Sequence, residues 1–243
     1  MRHHNIIGVT VLYSLIATHI DELDRILGGG IPRPGLTMIL GHTGTGKTTL
    51  ASQIIVNRAI RDGEKGAIVT LIEDEKALVE RLSGLGFPIK ELLEKKLLEI
   101  YSLMPTGPSS EVARHAMEFL TSITVGGEVR NIIVDSITAI TELLSPEFGR
   151  TLTSILYKKA YEGNVSIIAI GEEPIVSGAY RLMFQEFIPD ALIILHHVFR
   201  RDEFIIVMEV LKVRGAMHSR AYHQVTVSSK GFEILGSTTL SGV

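Results

Sequence analysis

Eight consecutive residues, Gly41 to Thr48, read GHTGTGKT and concentrate more potential chemistry than any other stretch of the chain. They fit G-x-x-x-x-G-K-[ST], and each fixed position has a physical reason. Gly41, Gly44 and Gly46 let the loop curl until successive backbone N–H groups face one anion, at a helix N-terminus whose dipole also favours negative charge. Lys47 would neutralise the β and γ phosphates of a nucleotide, and the Thr48 hydroxyl would coordinate Mg²⁺. Thr43, Thr45 and Thr49 complete the loop residues expected to meet the nucleotide. The bland alternative is a Gly-rich turn that binds nothing; the apolar run LTMIL before the loop and the helical pattern after it weigh against that. The glycine pattern is not G-x-G-x-x-G, so a dinucleotide such as NAD is disfavoured.

A phosphate loop needs carboxylates, and three strand ends offer them. IIVDS places Asp135 after a buried run, where a nucleotide site holds an aspartate near Mg²⁺; otherwise it is a turn residue. Ser136 follows it, so the metal strand supplies no adjacent glutamate and a general base must come from elsewhere. VTLIEDE, residues 69 to 75, ends in Glu73, Asp74 and Glu75, which read either as a solvated strand end or as the source of a group that takes a proton from water. Glu172, after SIIAIG, is a second candidate for sensing a γ-phosphate or holding water, against the reading of a polar loop start. No Asn-Lys-x-Asp motif occurs, which argues against guanine specificity, and LSGLG at 82 to 86 reads as a helix C-cap.

The elements that must position these groups alternate along the chain. THIDELDRILGGG predicts a short helix with a capping box from Thr18 to Asp21 and a stop at Gly28 to Gly30. Strands are expected at 36–40, 67–72, 131–136 and 166–171, with helices between them, one running from about Thr48 to Asp62 and the next carrying Leu78, Val79, Leu82 and Leu85 on one face. Short apolar strands alternating with helices predict an α/β fold with a mostly parallel, doubly wound sheet and helices on both faces. Runs at 191–198, 204–213 and 223–234 follow one another with only turns between, predicting an antiparallel C-terminal appendage. The early run IIGVTVLYSLIA reads as strand rather than as a signal peptide.

Composition narrows the class. With 243 residues, 45% hydrophobic and 21% charged, the chain can bury a large core, and one domain spanning 1–243 with its core at about 15–235 is expected. A net charge of −3 provides no overall basic field toward nucleic acid or membrane. The absence of cysteine excludes disulfides, thiolate chemistry and cysteine-ligated zinc, and a cytoplasmic location is expected. The histidines, including His196 and His197, lack ligand spacing.

IDELDRILGGGIPRPGLTMILGHTGTGKTTL, then VTLIEDEKALVERLSGLGF, IIVDSITAI, EFIPDALIIL and EVLKVRGAMH together resemble the single-domain KaiC-like ATPases of archaea, within the RecA and RadA superfamily. The resemblance runs from about Leu15 to Ile234. It implies a RecA-type P-loop core that assembles with itself, commonly as a hexameric ring with ATP at subunit interfaces. It also implies that Lys212 and Arg214 of KVRG reach the γ-phosphate held by a neighbouring subunit; two residues apart on a strand, they would share a face. Without the resemblance they read as solvated edge charges. His218 completes an RGxxH stretch and has no assigned role. Such proteins end the VTL strand in two glutamates, the first resembling a water-polarising base; ungapped alignment puts Ile72 there and Glu73 second. Slow or impaired hydrolysis is therefore expected.

Two other readings stay open. One is a regulatory scaffold, like the archaellum motor subunit FlaH, in which ATP sets conformation or docking of a protein partner. The other is a recombination accessory that binds single-stranded DNA through PIVSGAYRLMF, with Tyr180 stacking and Arg181 on phosphate; the acidic balance of charge counts against it.

Overall fold

The computed structural model describes residues 3–6, 9–12, 14–104, 109–125, 127–139, 146–172, 188–200 and 203–239. A central strand, β5 (Gly35–Gly41), is apolar from end to end and buried at every position, because sheet neighbours flank both edges and helices cover both faces. On one side it pairs in parallel with β9 (Ser166–Glu172), which continues through β8 (Asn131–Asp135) and β6 (Gly66–Thr70) to β7 (Leu98–Ser102). On the other side it pairs in parallel with β10 (Ala191–Arg200). From there the sheet turns antiparallel through β11 (Glu203–Val213), β12 (Tyr222–Ser228) and β13 (Gly231–Thr238). The nine strands thus run β13-β12-β11-β10-β5-β9-β8-β6-β7. The predicted parallel sheet and antiparallel appendage are both observed.

Side-chain alternation feeds two cores. Leu36, Met38 and Leu40 of β5 point into the layer closed by α5 (Ser109–Val125) and α6 (Pro146–Gly163), through Ala116, Leu120, Leu152 and Leu156. Ile39 points to the opposite layer, closed by α2 (Lys47–Asp62) with Leu50, Ile54 and Ile55 and by α3 (Glu75–Gly84) with Leu78 and Leu82. Here too lie α1 (Asp21–Leu27) and α4 (Ile89–Glu94). Burying both faces of a parallel sheet is what its continuous apolar strands require.

Three local expectations change. The N-terminal run is not one strand: β1 (His3–Ile6) pairs antiparallel with β2 (Val9–Leu12), and β3 (Ser14–Ile16) with β4 (Ile31–Arg33). The cap of α1 is not a Thr18–Asp21 box. The helix starts at Asp21, and Asp24 takes the backbone N–H and hydroxyl of Thr18 at 2.8 and 2.7 Å, while the Thr18 oxygen accepts the Ile20 N–H. Thr18 is fully buried, so its groups need partners deeper in the helix than an exposed cap would supply. Third, β6 ends at Thr70 rather than at residue 72.

One polar cluster ties the bottom of the sheet. Glu64 accepts from Arg33 at 2.6 and 2.5 Å, from Arg58 at 2.8 Å and from Asn131 at 3.1 Å. Burial pushes its carboxyl up, but these hydrogen bonds outweigh burial and hold it at about 2. Asp190, fully buried, likewise receives the Leu36 N–H, the Tyr161 hydroxyl and Arg214.

Candidate functional site

The carboxyl ends of the parallel strands converge on the loop after β5, the place where open α/β sheets bind ligands. Register puts Gly41 beside Glu172 of β9 and Leu195 of β10. Gly41 has φ of 150°, and a Cβ there would lie 2.2 Å from the Leu195 carbonyl oxygen. Gly46, at φ of 89°, precedes α2 directly, and its Cβ would meet Val227 at 2.6 Å. Side chains are therefore excluded where the loop bends. Thr45 anchors the curl by donating its hydroxyl to the His42 carbonyl at 2.7 Å.

Lys47 folds back under the loop, donating to the carbonyls of Gly41 and His42, each at 2.8 Å. Burial pushes its pKa down, and Glu172 and Asp135 pull against that. Thr48 donates its hydroxyl to Asp135 at 2.6 Å. Asp135 is itself buried, and burial raises its pKa; the Thr48 hydrogen bond, then Arg81, oppose the rise. The loop and the strand-end aspartate are brought together. A hydroxyl and a carboxylate are hard oxygen donors suited to Mg²⁺, which keeps several waters and takes substrate phosphates as further ligands. Among the described residues no group of three or more His, Cys, Asp or Glu could hold a metal without such help.

Thr43, Gly44, Gly46, Lys47, Thr48 and Thr49 line one pocket of about 420 Å³ together with Asp135, Glu172 and Val227. Glu172 accepts the Thr43 hydroxyl at 3.0 Å, and its backbone N–H donates to Thr138 at 2.8 Å, so β9 ends tied to the loop. That places Glu172 at the pocket wall rather than in a loose loop start.

The end of β6 separates two adjacent residues. The Thr70 hydroxyl accepts the N–H groups of Ile72 and Glu73 at 3.4 and 3.3 Å, bending the chain out of the strand. Ile72 turns to the pocket wall and is 53% exposed. Glu73 does not line the pocket; its carboxylate is held by Arg81 of α3, whose Nη2 donates to Oε1 while Nε donates to Oε2 at 3.3 Å. Arg81 lines the pocket and was not legible as a site residue, since it sits between the core residues Leu78 and Leu82 in an ordinary amphipathic helix.

Lys212 and Arg214 line no part of this pocket. β11 ends at Val213, where the strand was expected to end, and Arg214 opens the following turn. Its guanidinium reaches Asp190 at 3.3 Å and lies over Tyr157, 5.8 Å from the ring centre. His197 stacks on His42 of the loop, with centroids 6.3 Å apart, and His196 meets Glu209 at 3.3 Å. Tyr180 and Arg181 lie outside the described residues.

Nine strands with a parallel core, the strand–loop–helix built on Gly41 to Thr48 and the Thr48–Asp135 contact define a RecA-like P-loop ATPase fold. The chain belongs to the KaiC ATPase family, whose model matches residues 16–239. It is similar to the circadian clock oscillator protein KaiC of Parathermosynechococcus lividus, 26% identical over 233 residues that make up 92% of this chain and 43% of that protein. The KaiC of Synechococcus elongatus is 24% identical over 233 residues, covering 92% and 45%. The circadian clock protein KaiC2 of Synechocystis sp. is 25% identical over 230 residues, covering 92% and 40%. The chain thus spans less than half the length of these relatives. Among the described residues no helix is long and apolar enough to cross a membrane.

Proposed function

We propose that this chain binds Mg·ATP at the Gly41–Thr48 loop and hydrolyses it slowly. The observation that carries this reading is the 2.6 Å Thr48–Asp135 contact beside a buried Lys47, inside a pocket large enough for a triphosphate. Lys47 now satisfies its ammonium with two carbonyls, and β and γ phosphate oxygens are stronger acceptors. Thr48 and Asp135 would hold Mg²⁺, which when bound supplies charge neutralisation at the phosphates. Slow turnover follows from the wall: the residue that lines the pocket after β6 is Ile72, which cannot accept a proton.

The same reading has copies of the chain associating in a ring, commonly a hexamer, with nucleotide between neighbours. Lys212 and Arg214 then serve the next subunit's phosphates, which agrees with their lying off the pocket of their own chain. The test is Mg·ATP affinity and steady-state phosphate release for the parent and Lys47→Ala. A loss of affinity of about ten- to hundredfold is expected from removing charged hydrogen bonds to phosphate; equal affinity in the two proteins sinks the reading.

A second reading, a scaffold in which bound ATP sets conformation or partner docking, is favoured by one observation, the apolar Ile72 at the pocket wall.

A further inference from the structure

We propose that Arg81 is a γ-phosphate ligand supplied by the same chain that owns the phosphate loop, and that its transfer from Glu73 to the phosphate releases Glu73 to act as base. This rests on the nucleotide reading above and deepens it. Arg81 stands on α3 next to the buried Leu82, and that burial fixes the helix rotation so that Arg81 opens on the pocket with Lys47, Thr48 and Asp135. It is thus a second cation of the pocket, contributed by an element that has no part in the loop.

Its present partner is a weak hold. The Arg81 and Glu73 side chains are 41% and 21% exposed, and ion pairs in contact with water contribute little. A γ-phosphate offers more charge and the same forked geometry that a guanidinium matches best. The arginine therefore leaves the carboxylate when a triphosphate is present. ADP has no γ-phosphate and leaves the pair intact.

The exchange has a chemical consequence. While Arg81 donates to both carboxylate oxygens, Glu73 is a poor proton acceptor. Once released, Glu73 takes a proton from a water. The water oxygen bonds to the γ-phosphorus, the bond from that phosphorus to the β–γ bridging oxygen breaks, and its electron pair leaves on ADP. Substrate would thereby switch on its own base, and the cleaved product would switch it off.

The 243-residue chain should be compared with Arg81→Gln, Arg81→Lys and Glu73→Gln for equilibrium binding of Mg·ATP and Mg·ADP and for phosphate release, with circular dichroism to confirm folding. Arg81→Gln should weaken ATP by about tenfold and leave ADP unaltered, as expected for the loss of a charged hydrogen bond. Arg81→Lys, which keeps the charge without the fork, should recover part of the difference. Glu73→Gln should tighten ATP severalfold, since the competing carboxylate is gone, while phosphate release falls. If Arg81→Gln weakens ATP and ADP alike, or neither, Arg81 has no γ-phosphate role and the proposal fails alone. A folded parent that binds neither nucleotide overturns the site reading and this inference with it.

Discussion

Thr48 and Asp135 are 87 positions apart in sequence, and their hydroxyl and carboxylate oxygens meet at 2.6 Å. The contact joins the first turn of α2 to the end of β8 across β9, so a helix start and a strand end two places away in the sheet form one donor set. Replacing Asp135 by Asn keeps a hydrogen bond for Thr48 and removes the anionic donor. Nucleotide affinity of Asp135→Asn should then be nearly the same with Mg²⁺ or with chelator, whereas the parent loses affinity by about tenfold or more on chelation. A variant that keeps the parent's Mg²⁺ dependence would show that the metal is held elsewhere.

Ile72 lines the pocket, and on the proposed function it occupies the place of a water-polarising carboxylate. Ile72→Glu should raise phosphate release by about 10²-fold or more, within the range a general base contributes, with nucleotide affinity little altered. No gain in rate would mean that Glu73 or Glu172 already serves, and would count against the scaffold reading.

Lys212 lies off the pocket of its own chain, so its contribution to turnover should come in trans. Lys212→Ala and Lys47→Ala should each lack turnover as pure proteins, and mixing them should restore part of it, because some neighbours then pair an intact loop with an intact lysine. A mixture as inactive as its components, in particles shown by light scattering to be mixed oligomers, would remove Lys212 from the reaction.

Glu64 predicts the acid limb of stability. Its folded pKa of about 2 lies below the unfolded value near 4.3, so its contribution is full above that unfolded value and is lost as pH falls toward 2. Glu64→Gln should cost about 1 to 2 kcal/mol at neutral pH after allowance for solvent screening, and should flatten the stability profile between roughly pH 4.5 and 2. Denaturant melts of both proteins across that range check it; parallel profiles would discard the assignment.

Asp190 is fully buried and accepts the Leu36 N–H at 3.0 Å, the Tyr161 hydroxyl at 3.2 Å and Arg214 at 3.3 Å. Asp190→Ala leaves these donors without the carboxylate and should cost about 3 kcal/mol or more by chemical denaturation. A loss below about 1 kcal/mol would mean that the donors find other acceptors.

The sequence alone determined what is local. The phosphate loop was legible because its residues are contiguous and their spacing follows from the geometry of a loop wrapping phosphates. The parallel sheet was legible because strands buried on both faces read as unbroken apolar runs, and Asp135 stood out by ending one of them. Tertiary structure decided the rest, where the outcome depends on one bend or one packing angle. The Thr70 hydroxyl ends β6, Ile72 turns to the pocket and Glu73 goes to Arg81, a partner that no local pattern names. Arg81 enters the site only because Leu78 and Leu82 fix the roll of α3 against the core, and Arg214, in the turn after β11, is drawn to the buried Asp190 of the same chain. Composition and periodicity specify elements; which side chains face one cavity is set by how those elements pack.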